Sequence, residues 1–161
     1  MGSILNPGLL SPPESGYDVA VTTTEPVATI GKQIQADGNT YEYVHAGAAI
    51  AAYAACGIDK DGEATELTTT TSGARPTAVG VAQVAFADNA YGWLVRMGRN
   101  FSVKGAASDV ADTKQYTTGT AGVVDDTATD CIQGLTITAT LTGAATVAAH
   151  AVCLMCTNCQ D

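Results

Sequence analysis

The sequence predicts a mainly β protein: a single β-sandwich or barrel-like domain with an extended N-terminal arm and little helix. Three observations carry that expectation. From Tyr91 onward, apolar side chains take alternate places (Tyr91, Trp93, Val95, Met97, then Phe101 and Val103), while Arg96, Asn100, Ser102 and Lys104 fall between them. Successive strand side chains face opposite ways, so this alternation describes one buried face and one wet face. The pattern returns at Leu135, Ile137, Ala139 and Leu141, interleaved by Thr136, Thr138, Thr140 and Thr142. Threonine suits the wet side because it is β-branched. The stretches between are rich in glycine, threonine and aspartate, which turn a chain rather than extend it.

Residues 1–16 carry Pro7, Pro12 and Pro13 with Gly2 and Gly8, a composition that resists both helix and central strand and reads as an arm. Its apolar residues Ile4, Leu5, Leu9 and Leu10 leave two states open, docking on a neighbouring chain or disorder. The β-rich domain then runs over residues 17–155, with 156–161 as a tail. Residues 18–24 and 27–34 suit two short extended segments parted by Glu25-Pro26, and Asp37-Gly38-Asn39 makes a turn. Residues 40–45 form a strand with Tyr41, Tyr43 and His45 on one side and Glu42 on the other. Alanine-rich residues 46–56, framed by Gly47 and Gly57, read as a short helical turn or a buried strand. Residues 59–63 are an acidic turn, and residues 68–71 are a β-branched run ending at Ser72-Gly73. Residues 79–86 form an almost continuous apolar strand, covered on both faces, with Asp88-Asn89 as its turn. Around Gly98-Arg99-Asn100 the chain is a tight hairpin or one strand with a bulge. A polar loop follows at 106–114, carrying Asp109 and Asp112. Two short strands at 116–118 and 123–124 flank a glycine turn, and the last strands span 131–141 and 146–155.

A chain of 161 residues suffices for one ordinary core. Much of its 46% hydrophobic content is alanine, and the large rings are Trp93, Phe86, Phe101 and six tyrosines, so the core is expected to be thin. Burial contributes roughly 25 cal/mol per Å², and small side chains cover little area; oligomerisation or attachment to a larger surface is expected to supply the rest. A net charge of −9 argues against nucleic acid, whose phosphates need Lys and Arg. The lack of an 18-residue apolar run argues against a membrane span. Residues 1–16 show neither the cationic nor the continuous apolar part of a secretory signal, so the expectation is a chain made and kept inside a cell until something releases it. Five cysteines, an odd number, fit reduced thiols better than a disulfide framework.

Candidate chemistry is sparse. His150, Cys153, Cys156 and Cys159 stand three residues apart, but zinc sites separate two ligand pairs by a loop, and that separation is missing. Asp59-Lys60-Asp61-Gly62-Glu63 starts like a calcium loop without a clear far-end glutamate, so a solvated turn is expected. Asp125, Asp126 and Asp130 read as a second exposed acidic loop. His45 and His150 are the only histidines available as a general base, and no nucleophile elbow, phosphate loop or zinc-protease pair is present. The expectation is a protein that is not an enzyme and that needs no cofactor or metal.

Tyr41-Glu42-Tyr43-Val44-His45-Ala46-Gly47-Ala48-Ala49, then Val79-Gly80-Val81-Ala82-Gln83-Val84-Ala85 leading into Ala90-Tyr91-Gly92-Trp93-Leu94-Val95, resemble the tailed-phage capsid decoration, or cement, proteins. Tyr116-Thr117-Thr118 and the run from Ala121 to Asp126 are similar to them as well. The likeness covers residues 35–153 and leaves the arm and tail outside. It implies a β-rich protein on the outer surface of the virion, bridging subunits of the major capsid protein of an expanded icosahedral shell, as a homo-oligomer with a trimer favoured. The candidate contact residues are Ile4, Leu5, Leu9 and Leu10 of the arm together with Tyr17, taken as an exposed aromatic. Two other readings fit the residues: a free-standing ligand- or receptor-binding β-sandwich of a phage fibre, and a tail subunit that polymerises by itself. A sugar site would show exposed aromatics, whereas Trp93 is expected to face inward.

Overall fold

The computed structural model describes residues 16–72 and 77–157. Its strands are β1 (Gln33–Ala36), β2 (Asn39–Ala46), β3 (Ala55–Ile58), β4 (Glu63–Glu66), β5 (Thr77–Ala82), β6 (Tyr91–Gly105), β7 (Gln115–Thr117), β8 (Val123–Asp125), β9 (Cys131–Ile137) and β10 (Ala145–Thr157), with one short helix, α1 (Thr69–Ser72), before β5. The mainly β expectation therefore holds. All ten strands belong to one sheet.

That sheet closes on itself twice. β2 pairs with β4, β4 with β3, β3 with β5, β5 with β6, and β6 returns to β2. A second circuit runs from β6 through β8, β7, β9 and β10 back to β6. The 15-residue β6 serves both, its first half in one ring and its second half in the other. Gly98 (φ 142°) and Asn100 (φ 58°) mark the change of ring. Opposite them the β10 register steps from Ala149↔Phe101 to His150↔Arg99, which leaves Asn100 as the extra residue of a bulge. Of the two readings of this stretch, one bulged strand is the one found.

Two cores follow from the two rings. One gathers Val44, Ala46, Ile50, Cys56, Ala64, Ala82, Phe86 and Leu94 among others, and its alanines let the strands of a narrow ring approach closely. The larger one contains Tyr43, Val81, Trp93, Phe101, Ile132, Ile137, Val147 and Met155. Adjacent residues Trp93 and Leu94 belong to different cores, so the first half of β6 has no wet face. This corrects the placement of Arg96, which is buried. Its guanidinium forms an ion pair with Glu42 of β2 and donates Nη2 to the Met155 carbonyl of β10 at 3.1 Å.

Several local expectations give way to tertiary hydrogen bonds. Residues 47–54 are neither helix nor strand. Ile50 exchanges backbone bonds with Phe86 (3.0 and 2.9 Å), and Gly47 N–H donates to the Ala64 carbonyl at 3.0 Å, which outcompetes alanine's helix preference. The β-branched threonine run forms α1: Thr71 N–H donates to Thr68 Oγ1 at 3.2 Å and Thr68 N–H to Thr71 Oγ1 at 2.8 Å, a reciprocal cap. β5 stops at Ala82, after which the Gln83 side-chain amide exchanges two 3.0 Å bonds with the Ser102 backbone in the second half of β6. β9 ends at Ile137, leaving Ala139 exposed rather than inward. The Asp37-Gly38 turn is borne out, with φ of 50° and 77° joining β1 to β2 as a two-residue hairpin.

Gly98 sits where a Cβ would lie 1.9 Å from Asn39 Oδ1 and 2.8 Å from Asn39 Cα. Gly98→Ala is expected to cost at least about 2 kcal/mol in urea unfolding, from strain and overpacking together. For the buried ion pair, Glu42→Ala is expected to cost about 3 kcal/mol by stranding the Arg96 charge. Joint replacement by Glu42→Leu and Arg96→Met should recover most of that loss in the same assay.

Candidate interaction surface

Residues 16–32 form an irregular strap across β2 and β6. Pro26, Gly31 and the lack of alternation keep it out of the sheet, so its backbone is satisfied piecemeal. Asp18 Oδ1 accepts from Ala20 N–H at 2.9 Å, and Thr23 Oγ1 donates to the Glu25 carbonyl at 2.6 Å. Thr23 exchanges two backbone bonds with Tyr91 (2.9 and 2.8 Å), and Gly31 N–H donates to the Tyr43 carbonyl at 2.8 Å. Val27 N–H donates to the Tyr43 hydroxyl at 2.9 Å. Of the two extended segments expected at 18–24 and 27–34, only Gln33 and Ile34 enter a strand.

An aromatic cluster anchors the strap. Trp93 lies 4.9 Å from Tyr43 and 5.3 Å from Tyr17 between ring centroids, tilted by 57° and 54°. Tyr91 stacks on Tyr43 at 6.3 Å and meets His45 at 4.8 Å. Trp93 is 1% exposed and faces inward as expected. Tyr17 is not the exposed aromatic that was expected: it is half-buried on Trp93, its hydroxyl accepts from Lys32 Nζ at 3.1 Å, and that cation lies 4.4 Å from its ring centre. The sequence showed no periodicity around Tyr17 that could announce this packing.

The outer side of the strap mixes exposed polar residues such as Asp18, Glu25 and Lys32 with three large apolar ones. Val21 is 48% exposed, Val27 55% and Ile30 39%. Beside them Tyr17, Val21, Val27, Tyr43 and Trp93 line a groove of about 320 Å³. The strap leads directly to residues 1–15, so the candidate contacts Ile4, Leu5, Leu9 and Leu10 lie outside the described residues. A second apolar spot is on β10, where Val152 is 71% and Leu154 43% exposed.

The other sequence candidates have structural partners. Asp59 Oδ1 accepts from the backbone N–H of Asp61 and of Glu63, both at 2.9 Å, so the calcium-like stretch is the β3–β4 turn, with Gly62 at φ 79°. His45 packs on Tyr91, and His150 sits on β10 opposite Arg99 and Thr136. Burial pushes the Cys56 thiol far above its ordinary pKa and, with the charge of Glu66, keeps it protonated. Cys56 and Cys153 are free thiols, whereas Cys156 is disulfide-bonded. Asp130 accepts from Ser72 Oγ at 2.7 Å, tying β9 to α1, and so does not share a loop site with Asp125 and Asp126.

What the strap and groove offer chemically is apolar area beside an aromatic anchor, the makings of a docking surface. No family model, no curated protein and no solved structure matches the chain.

Tyr17→Ala should unseat the strap while leaving both rings folded. The expected result is a loss of about 1–3 kcal/mol of local stability, read as faster amide exchange over residues 18–31 with protection of β6 and β10 unchanged.

Proposed function

We propose that the protein is a capsid decoration protein, a clamp that binds the outer surface of an expanded icosahedral shell and ties neighbouring major capsid subunits together. The observation that carries this reading is the strap: an irregular segment that exposes Val21, Val27 and Ile30, is pinned to the sheet by Tyr17 and Trp93, and continues in sequence into residues 1–15 with Ile4, Leu5, Leu9 and Leu10. The motif resemblance of residues 35–153 to cement proteins supports the same reading.

Physically, a clamp of this kind works by linkage. Ligand that binds only the expanded lattice lowers that lattice's free energy by mass action. Each fully buried leucine or isoleucine of the arm contributes roughly 1.5–3 kcal/mol, and repetition over symmetric copies converts modest contacts into lasting attachment. Self-association as a trimer suits placement on three-fold positions. An acidic surface, with a net charge of −9, keeps surplus copies apart before they find a shell. A fibre-tip sugar module is less well supported, because Trp93 is committed to the core rather than offered to a ligand ring.

Deletion of residues 1–16 leaves Tyr17 and its anchor in place. The truncated protein is expected to keep its unfolding midpoint but to bind purified expanded shells at least about tenfold more weakly, measured as occupancy by electron microscopy. Unchanged occupancy would remove the arm from the mechanism. Full-length protein that leaves the shells bare would remove the clamp itself.

A further inference from the structure

The carboxylates of Asp109, Asp125 and Asp126 meet although the first stands 16 and 17 positions before the other two. Each offers an oxygen, and these atoms all lie within 4.8 Å of one another. Asp109 comes from the β6–β7 loop, Asp125 ends β8, and Asp126 follows it. The parallel pairing of Lys104 with Val123 and of Gly105 with Val124 brings these two chain segments side by side.

Asp109 is the unusual member. Its side chain is fully buried, at 0% exposure. One oxygen, Oδ1, accepts from Gln115 Nε2 at 3.0 Å, while Oδ2 has no hydrogen-bond partner. Gln115 is equally buried and leaves its own Oε1 unbonded, a second orphan oxygen on the residue next to Asp109. The other two carboxylates are half-buried and partly engaged: Asp126 Oδ2 accepts from Val110 N–H at 3.2 Å and Asp125 Oδ1 from Asp126 N–H at 2.8 Å. Among the described residues, none of the three has a lysine or arginine as an ion-pair partner. Burying an unpaired carboxylate oxygen next to two like charges is costly unless something of opposite sign sits among them.

We propose that Asp109, Asp125 and Asp126 bind a divalent cation of the calcium type, which staples the β6–β7 loop to the end of β8. The spacing suits the ion. Calcium takes oxygen ligands at about 2.3–2.6 Å, so two ligands on one ion stand at most about 5 Å apart, and these three fall within that span. Calcium also takes six to eight oxygens in flexible geometry, and the half-buried side formed by Asp125 and Asp126 leaves room for water to complete the shell. Burial, followed by the neighbouring charges of Asp126 and Asp125, raises the Asp109 pKa against the lowering effect of the Gln115 bond; a bound cation opposes that rise by the same electrostatics.

The test uses the full chain, stripped with EDTA and dialysed into buffers of matched ionic strength. Titration with calcium chloride by calorimetry is expected to show one site, and saturating calcium is expected to raise the unfolding temperature by about 5 °C or more over the EDTA sample. Asp126→Asn and Asp125→Asn should each weaken calcium binding at least about tenfold, whereas Asp61→Asn, on the exposed β3–β4 turn, should leave it unchanged. Asp109→Asn completes the series, its folding checked by circular dichroism. The proposal is overturned if the wild-type chain shows no heat of calcium binding and the same unfolding temperature in EDTA and in calcium, the result for an Asp109 that carries a proton instead. It is equally overturned if calcium acts on the Asp125 and Asp126 variants as strongly as on the wild type.

Discussion

The shared strand β6 is the constraint on which the rest of the molecule depends. Fifteen residues must serve two rings in succession, and a strand can change partners only where its backbone departs from the regular pleat. Gly98 and Asn100 supply that departure, and Asn39 locks it by accepting the Arg99 N–H at 2.8 Å. Once the kink is made, residues on both faces of the first half are enclosed. That enclosure dictates the second requirement, close approach of neighbouring strands.

Small residues meet that requirement. At Gly80 a Cβ would come within 2.8 Å of Leu94 Cβ, and at Gly92 within 2.7 Å of the Phe86 ring. The alanines and glycines at such close approaches gain little from burial per residue, so directional interactions matter more there than in a leucine-rich interior. The Arg96–Glu42 pair, the Gln83–Ser102 exchange and the aromatic cluster around Trp93 are those interactions. They tie β2, β5, β6 and β10 together where apolar area alone is thin.

The same economy frames the functional reading. Tyr17 joins the strap to Trp93 and thereby to β6, so in the proposed clamp a load on residues 1–15 would reach that strand. A cation among Asp109, Asp125 and Asp126 would brace the β6–β7 loop, just beyond the C-terminal end of that strand. Both proposals place mechanical load on the element best able to bear it, because β6 is hydrogen-bonded to four other strands.

By itself the sequence determined what depends on neighbours along the chain. Alternation from Tyr91 and again from Leu135 marked strands, Asp37-Gly38-Asn39 marked a turn, and the apolar run from Val79 marked a strand covered twice. Only tertiary structure decided which residues met across the chain. Arg96 looked wet because alternation reports the period of side chains, not whether a second layer covers the other face. Tyr17 looked free because its partner Trp93 is 76 positions away (93 − 17), beyond the reach of any local pattern. Asp125 and Asp126 were grouped with Asp130 by proximity in sequence, whereas the β6–β8 pairing brings Asp109 to them and Ser72 draws Asp130 away. Local periodicity is set by backbone geometry within a few residues; encounters between distant side chains are set by strand pairing, which no single segment encodes.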